Sequence, residues 1–147
     1  MSKQMNQTLR EWMDIFMHRS MRGWVQYAKS TGLSMPQLSI LMQLHHQGPC
    51  GMSQISERFE ISNAAASQLA EKLVQSEYIE RAEDPNDRRA KVLQLTQKGK
   101  DLINAGVEER YRWLDELIKN LSAEEKRKAL EGLQILTEAA NKMQSKA

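Results

Sequence analysis

Between residue 8 and about residue 30, apolar side chains recur at Leu9, Trp12, Met13, Phe16, Met17, Met21, Trp24, Val25 and Ala28. Steps of three and four along the chain predict one long amphipathic helix. Arg10, Glu11, Asp14, Arg19 and Arg22 are among its polar positions, and residues 1–7 are expected to fray as a polar lead-in. Thr31, Gly32 and Leu33 break the pattern. At Ser34 a second helix is predicted to start with a capping box, in which Ser34 caps, Gln37 reaches back and Pro36 occupies the first turn. Leu38, Leu41, Met42 and His45 are expected to form its buried stripe. Gly48 and Pro49 end it, and Cys50 and Gly51 are expected to add one short strand beside a later hairpin.

The next stretch organises the rest of the chain. Residues 53–59 and 63–75 both carry helix-period patterns, separated by Glu60, Ile61 and Ser62, which leave room only for a sharp corner. Ile55, Phe59, Ile61, Ala66, Leu69 and Leu73 are spaced so that two crossed helices bury one small core. Ser53 and Ser62 are expected as N-caps. This is the pattern of a helix-turn-helix, whose second helix lies in the major groove of DNA. On that second helix Ala66, Leu69, Ala70 and Leu73 face inward. Ala64, Ser67, Gln68, Glu71 and Gln75 face outward, with Ala65 and Lys72 at the margin. Alanines permit close approach and contact with a thymine methyl, and Gln68 has the atoms to bond an adenine edge twice. An ordinary amphipathic helix with a solvated polar face gives the same pattern, so the helix pair alone does not decide for DNA.

Residues 78–83 and 91–95 are predicted as strands. The turn-forming run Asp84, Pro85, Asn86, Asp87, Arg88, Arg89 and Ala90 joins them and carries paired arginines at its tip. A hairpin of this kind beside a recognition helix is a winged helix. Its guanidinium suits the narrow minor groove, where the negative potential is strongest. Asp87 is expected to hold an arginine side chain by a bidentate pair. Thr96 then caps a helix over residues 97–119, with Leu102, Ile103, Val107, Trp113, Leu114, Leu117, Ile118 and Leu121 on its apolar side. Ser122 and Glu125 form a second capping box. The last helix is lined by Ala129, Leu130, Leu133, Leu136, Ala140 and Met143. Together the first and last two helices offer more apolar stripe than one chain can bury, which predicts a homodimer through the chain ends.

The run Asp84-Pro-Asn-Asp-Arg-Arg-Ala-Lys-Val-Leu-Gln-Leu-Thr-Gln-Lys-Gly99 resembles the wing signature of the MarR (multiple antibiotic resistance regulator) family, in which an Asp-x-Arg element leads into a Leu-Thr-x-x-Gly helix start. The order of elements is similar along essentially the whole chain. The resemblance implies a mainly α fold with a small β-hairpin wing, a winged helix-turn-helix forming an obligate homodimer through its N- and C-terminal helices. A single domain would cover residues 1–147, with the DNA-binding winged helix at about 34–95 and dimerisation helices at about 5–30 and 97–145. It implies a transcription regulator, most often a repressor, that binds palindromic operators in double-stranded DNA. In that family a small ligand, often an aromatic acid or phenol, releases the protein from a cleft between the dimer helices and the helix-turn-helix. The DNA-binding set would be Ser62, Asn63, Ala64, Ala65, Ser67, Gln68, Lys72, Arg88, Arg89 and Lys91. Ser67 and Gln68 fall at base-reading positions, and Arg89, with Arg88 beside it, falls at the minor-groove tip. Ligand-pocket candidates are Trp12, Met13, Phe16, Arg19, Trp24 and His45, each of which packing also explains. The chain departs from the pattern at Glu60, where many helix-turn-helix sequences place Gly, and at the run Ala64, Ala65 and Ala66, which offers few polar base contacts.

Composition narrows the alternatives. At 147 residues and 40% apolar content the chain suits one domain with a core. Its formal charge is only +2, and residues 51–100 carry eight basic against eight acidic side chains. A neutral DNA-binding segment argues against a purely electrostatic binder. It fits positive charge concentrated at a wing tip, with affinity gained from two linked copies. The neutral charge and the alanine run also sustain an alternative, a winged-helix protein-interaction scaffold without DNA binding. No apolar run approaches the ~18 residues of a membrane span, and no signal-peptide core is seen, so a cytoplasmic location is expected. Cys50 is the only cysteine. Lacking a partner thiol or basic neighbours, it reads as a small buried residue rather than a redox sensor. His18, His45 and His46 do not have metal-ligand spacing. There is no phosphate-cradling glycine loop and no nucleophile elbow, so neither enzyme activity nor a cofactor is expected.

Overall fold

The computed structural model describes residues 1–144. Its elements run α1 (Ser2–Thr31), α2 (Met35–Gln47), α3 (Met52–Arg58), α4 (Asn63–Gln75), β1 (Ile79–Glu83), β2 (Lys91–Leu95), α5 (Gln97–Lys119) and α6 (Ala123–Gln144). The mainly helical architecture with one antiparallel hairpin is that of a winged helix. The expected dimerisation segment extends to residue 145, which lies outside the described residues.

Several boundaries follow from side chains that satisfy orphan backbone groups. Gln37 Oε1 accepts the Ser34 N–H at 2.9 Å while Ser34 Oγ accepts the Gln37 N–H at 3.4 Å, so the capping box that opens α2 is present. Ser62 Oγ accepts the Ala65 N–H at 3.1 Å and opens α4. Gly32, at φ 71°, ends α1 in the left-handed conformation that glycine adopts without strain.

Four local expectations are corrected. Residues 2–7 are helical and continue α1 to Ser2; no glycine or proline interrupts this run, and Gln7 Nε2 donates to Glu11 Oε1 at 2.7 Å one turn on. His45 is exposed, and the buried face of α2 is made by Gln37, Leu38, Ile40, Leu41, Gln43 and Leu44. Ser53 does not cap α3. The helix begins one residue earlier, behind Gly51, whose N–H is accepted by Gln54 Oε1 at 2.9 Å. Asp87 acts on the backbone of Arg89 and not on its guanidinium: Asp87 Oδ1 accepts the Arg89 N–H at 3.0 Å.

By contact density the described chain divides into one compact unit over residues 1–110 and another from residue 111 onward. In the first, Ile40, Leu41, Leu44, Ile55, Ala66, Ala70, Leu73, Ile79, Leu93, Leu95 and Ile103 form a continuous buried cluster. The hairpin closes this core from one side. Its register pairs Ile79 with Leu95, Arg81 with Leu93 and Glu83 with Lys91. Cys50 adds a single bridge to Leu93, with N–H···O bonds of 3.1 Å and 2.8 Å, where a short strand was expected. The N-terminal half of α5 packs closely against α1: a Cβ on Gly106 would stand 2.5 Å from Trp24 Cζ3, and Tyr27 Oη donates to the Leu102 carbonyl at 2.7 Å. Of all α1 only Ser20 and Ala28 are buried, while Met5, Met13, Ile15, Met17, Met21 and Val25 are exposed.

In the second unit, Ser122 Oγ accepts the Glu125 N–H at 3.3 Å and the Glu125 carboxylate accepts the Ser122 N–H at 2.8 Å, completing the box that opens α6. The Ser122 hydroxyl also donates to this carboxylate at 2.7 Å, and that bond, with the backbone one, lowers the Glu125 pKa. Leu130, Leu133, Ile135 and Met143 are exposed on α6.

Candidate nucleic-acid interface

The outward face of α4 forms because alanines and leucines take the other side. Ala66, Ala70 and Leu73 are buried against α2, α3 and the hairpin. That leaves Ser62, Asn63, Ala64, Ser67, Gln68 and Lys72 exposed, with Ala65 half-buried. The corner before α4 passes through Glu60 at φ 52°, a left-handed conformation unusual for a residue with a Cβ. This explains why glycine suits the position. Asn63 is tied back to the preceding helix, its Oδ1 lying 2.6 Å from Ser56 Oγ.

The turn between β1 and β2 is ordered by its own aspartates. Asp84 Oδ1 accepts the Asn86 N–H at 2.8 Å, the Asp84 carbonyl accepts the Asp87 N–H at 3.2 Å, and the Asp87 carbonyl accepts the Ala90 N–H at 2.9 Å. Short side chains bonding to backbone two residues on are the ordinary means of fixing such a turn. Arg88 and Arg89 stand exposed on this scaffold. Lys91, at the base, faces Glu83 across the hairpin at 3.6 Å. The sequence-predicted set therefore falls on two neighbouring surfaces, the exposed face of α4 and the wing.

One charged pair was not legible from periodicity. Arg81 Nη2 of β1 donates to Glu71 Oε2 of α4 at 2.8 Å, with both side chains about half exposed. Its members lie on different elements, so only the fold brings them together.

Two of the six pocket candidates line clefts in the first unit. Trp24 lines a cleft of about 380 Å³ in the first unit together with Met21, Met35, Met42, Phe59, Gln43 and Arg58. His45 lines a different cleft, of about 550 Å³, with Lys100, Glu80 and Gln94. Trp12, Met13, Phe16 and Arg19 line neither. Gln43, missed in the sequence, is buried; its Nε2 donates to Cys50 Sγ at 3.8 Å, and its Oε1 has no hydrogen-bond partner among the described residues. Cys50 is buried, and burial pushes its thiol up from the ordinary range, partly opposed by the Gln43 bond. Among the described residues no group of His, Cys, Asp and Glu side chains is placed to hold a metal ion. No described helix is long and apolar enough to cross a membrane.

Residues 33–91 match the model of the MarR family. An HTH-type transcriptional regulator of Bacillus subtilis, YfiV, is 34% identical over 130 residues, covering 79% of this chain and 81% of that protein. Among solved structures, a transcriptional regulator from Thermotoga maritima aligns with a TM-score of 0.79 and 24% identity over 99% of each chain. A MepR variant of S. aureus bound to an oligodeoxyribonucleotide aligns with a TM-score of 0.66 and 21% identity, over 90% of this chain and 97% of that one.

Proposed function

The chain belongs to the MarR family of DNA-binding, non-enzymatic transcription regulators, and from that premise we propose that it is a repressor acting as a homodimer on palindromic operators. The observation that carries this reading is the pairing of an uncharged, small-residue face on α4 with two exposed arginines on an ordered wing. The helix reads base edges in the major groove while the wing guanidinium enters the minor groove. DNA is also what the S. aureus neighbour holds.

A dimer accounts for the apolar surface left on α1 and α6. Exposed methionines, leucines and isoleucines in contiguous stripes are costly in water and mark association surfaces. Two α4 helices related by a two-fold axis then meet half-sites ~34–36 Å apart. Release follows when a small apolar ligand entering the cleft beside Trp24 favours a spacing of the two helices that no longer matches the DNA. Phe59 at the end of α3 lines the same cleft, which supports a route from such a ligand to the helix-turn-helix.

The test is a gel shift with DNA from upstream of the protein's own gene, using wild type and Arg88→Ala/Arg89→Ala. Binding by the wild type and its loss in the double variant support the regulator. Failure of the wild type to shift any duplex at low salt supports the scaffold.

A further inference from the structure

We propose that Arg81 is an additional phosphate-binding residue of the DNA interface, positioned by Glu71; this rests on the DNA-binding reading above. Glu71 lies on the same outward face of α4 as Gln68, three residues C-terminal and about 4.5 Å further along the axis. Arg81 reaches it from β1, the first strand of the wing, at 2.8 Å. The pair therefore spans the notch between the helix that enters the major groove and the hairpin that enters the minor groove. Two adjacent grooves of a duplex are separated by one sugar–phosphate strand, so a protein that occupies both must let that strand pass across this notch. A side chain exposed there faces phosphate rather than bases.

The chemistry suits the location. A guanidinium keeps its charge at all relevant pH values and presents several N–H donors in a planar fork. The bond to Glu71 engages only Nη2 of Arg81, which leaves donors for a phosphate oxygen. Glu71 also needs this partner. An unscreened carboxylate on the outward face of α4, in a segment whose formal charges cancel, would repel the backbone it approaches. With Arg81 bound, the pair is neutral toward bases while the fork is held toward the strand. Phosphate contacts of this kind fix register and orientation and carry no sequence information.

Because the contact is independent of sequence, it is measurable without knowing the operator. The affinity of the full chain for a random-sequence duplex is followed by fluorescence anisotropy as KCl is raised, for wild type, Arg81→Gln, Arg81→Lys and Lys29→Gln. Each phosphate contact contributes about 0.9 to the slope of log K against log salt concentration. Arg81→Gln is expected to lower the slope by about 0.9 per protomer, with its thermal melt unchanged, since both members of the pair are half exposed. Arg81→Lys keeps the charge and the slope. Lys29, exposed in the last turn of α1, controls for loss of a positive charge elsewhere, and Lys29→Gln leaves the slope in place. An Arg81→Gln slope equal to wild type, or an equal fall in Lys29→Gln, overturns the assignment. Absence of wild-type binding removes the DNA-binding premise itself, whereas wild-type binding with an unchanged Arg81→Gln slope removes this role alone.

Discussion

The hydroxyl of Thr96 donates to the Glu77 carbonyl at 2.6 Å and accepts the Gly99 N–H at 3.1 Å, so one side chain caps α5 and fastens the exit of α4. Neighbouring groups act on the same corner. The Thr96 N–H donates to the Tyr78 carbonyl at 3.1 Å. Lys98 Nζ donates to the Ser76 carbonyl at 2.8 Å and lies 4.8 Å from the centre of the Tyr78 ring. A Cβ on Gly99 would stand 2.1 Å from the Tyr78 oxygen, so only glycine admits this approach. The Leu-Thr-x-x-Gly element is therefore a clamp that joins the end of the recognition helix to the start of α5.

Thr96→Val keeps the volume and removes both hydroxyl bonds. Loss of an N-cap costs about 0.5–2 kcal/mol, and the variant should lose stability in that range, read as a lower urea midpoint at unchanged slope. Gly99→Ala forces the backbones apart and should cost more, about 3 kcal/mol. Equal stability of the two variants would show that the close approach at Gly99 is not constraining.

At the corner between α3 and α4, Glu60 holds φ 52° against the preference of its Cβ. Relief of left-handed strain is worth about 1–2 kcal/mol, offset in part by the flexibility glycine adds to the unfolded chain. Glu60→Gly should thus raise the midpoint of thermal unfolding, with a net gain of about 1 kcal/mol or less. A lower midpoint would mean that the Glu60 side chain contributes a contact that outweighs the strain.

These two corners show what was legible in the sequence. The bounds of α4 and β2 follow from local signals: a serine cap, turn residues between strands, and a threonine before the next helix. Glu60 stood out because it occupies a glycine position, and the strain there is visible in its φ. Periodicity misleads where two local signals compete. Gln54 reaches back to Gly51, so Ser53 is not needed as a cap. On α2, Ile40 and Leu44 are buried in the core while His45 is left exposed, a choice made by tertiary packing rather than by period. The Glu71–Arg81 pair and the separation of Trp24 from His45 into different clefts depend on helix crossings, which periodicity along one helix does not encode.

Cys50 gives a pH signature. Its folded-state pKa is raised by burial, so the folded chain holds the thiol proton more tightly than the unfolded chain does. The sign follows from linkage: stability is unaffected below the unfolded thiol pKa of about 8.5 and falls as pH rises from there toward the folded value. Denaturation between about pH 8 and pH 9.5 should show a steeper loss of stability in wild type than in Cys50→Ala. The native thiol should also resist alkylation at neutral pH. Parallel pH profiles would refute the burial effect.

Gln68 is exposed on α4 one turn beyond Ala64. If it bonds an adenine edge through both amide atoms, Gln68→Ala relaxes discrimination at one base pair by ~1–3 kcal/mol and leaves affinity for random DNA unchanged. A uniform loss across all sequences would assign Gln68 to the backbone instead.

The central claim is that two copies present paired helices and wings to one duplex. Sedimentation velocity of a labelled upstream fragment with the protein at low salt tests it most directly. The account predicts a complex of two chains per site that disappears with Arg88→Ala/Arg89→Ala. A complex of one chain per site, or one that persists unchanged in the double variant, would contradict it.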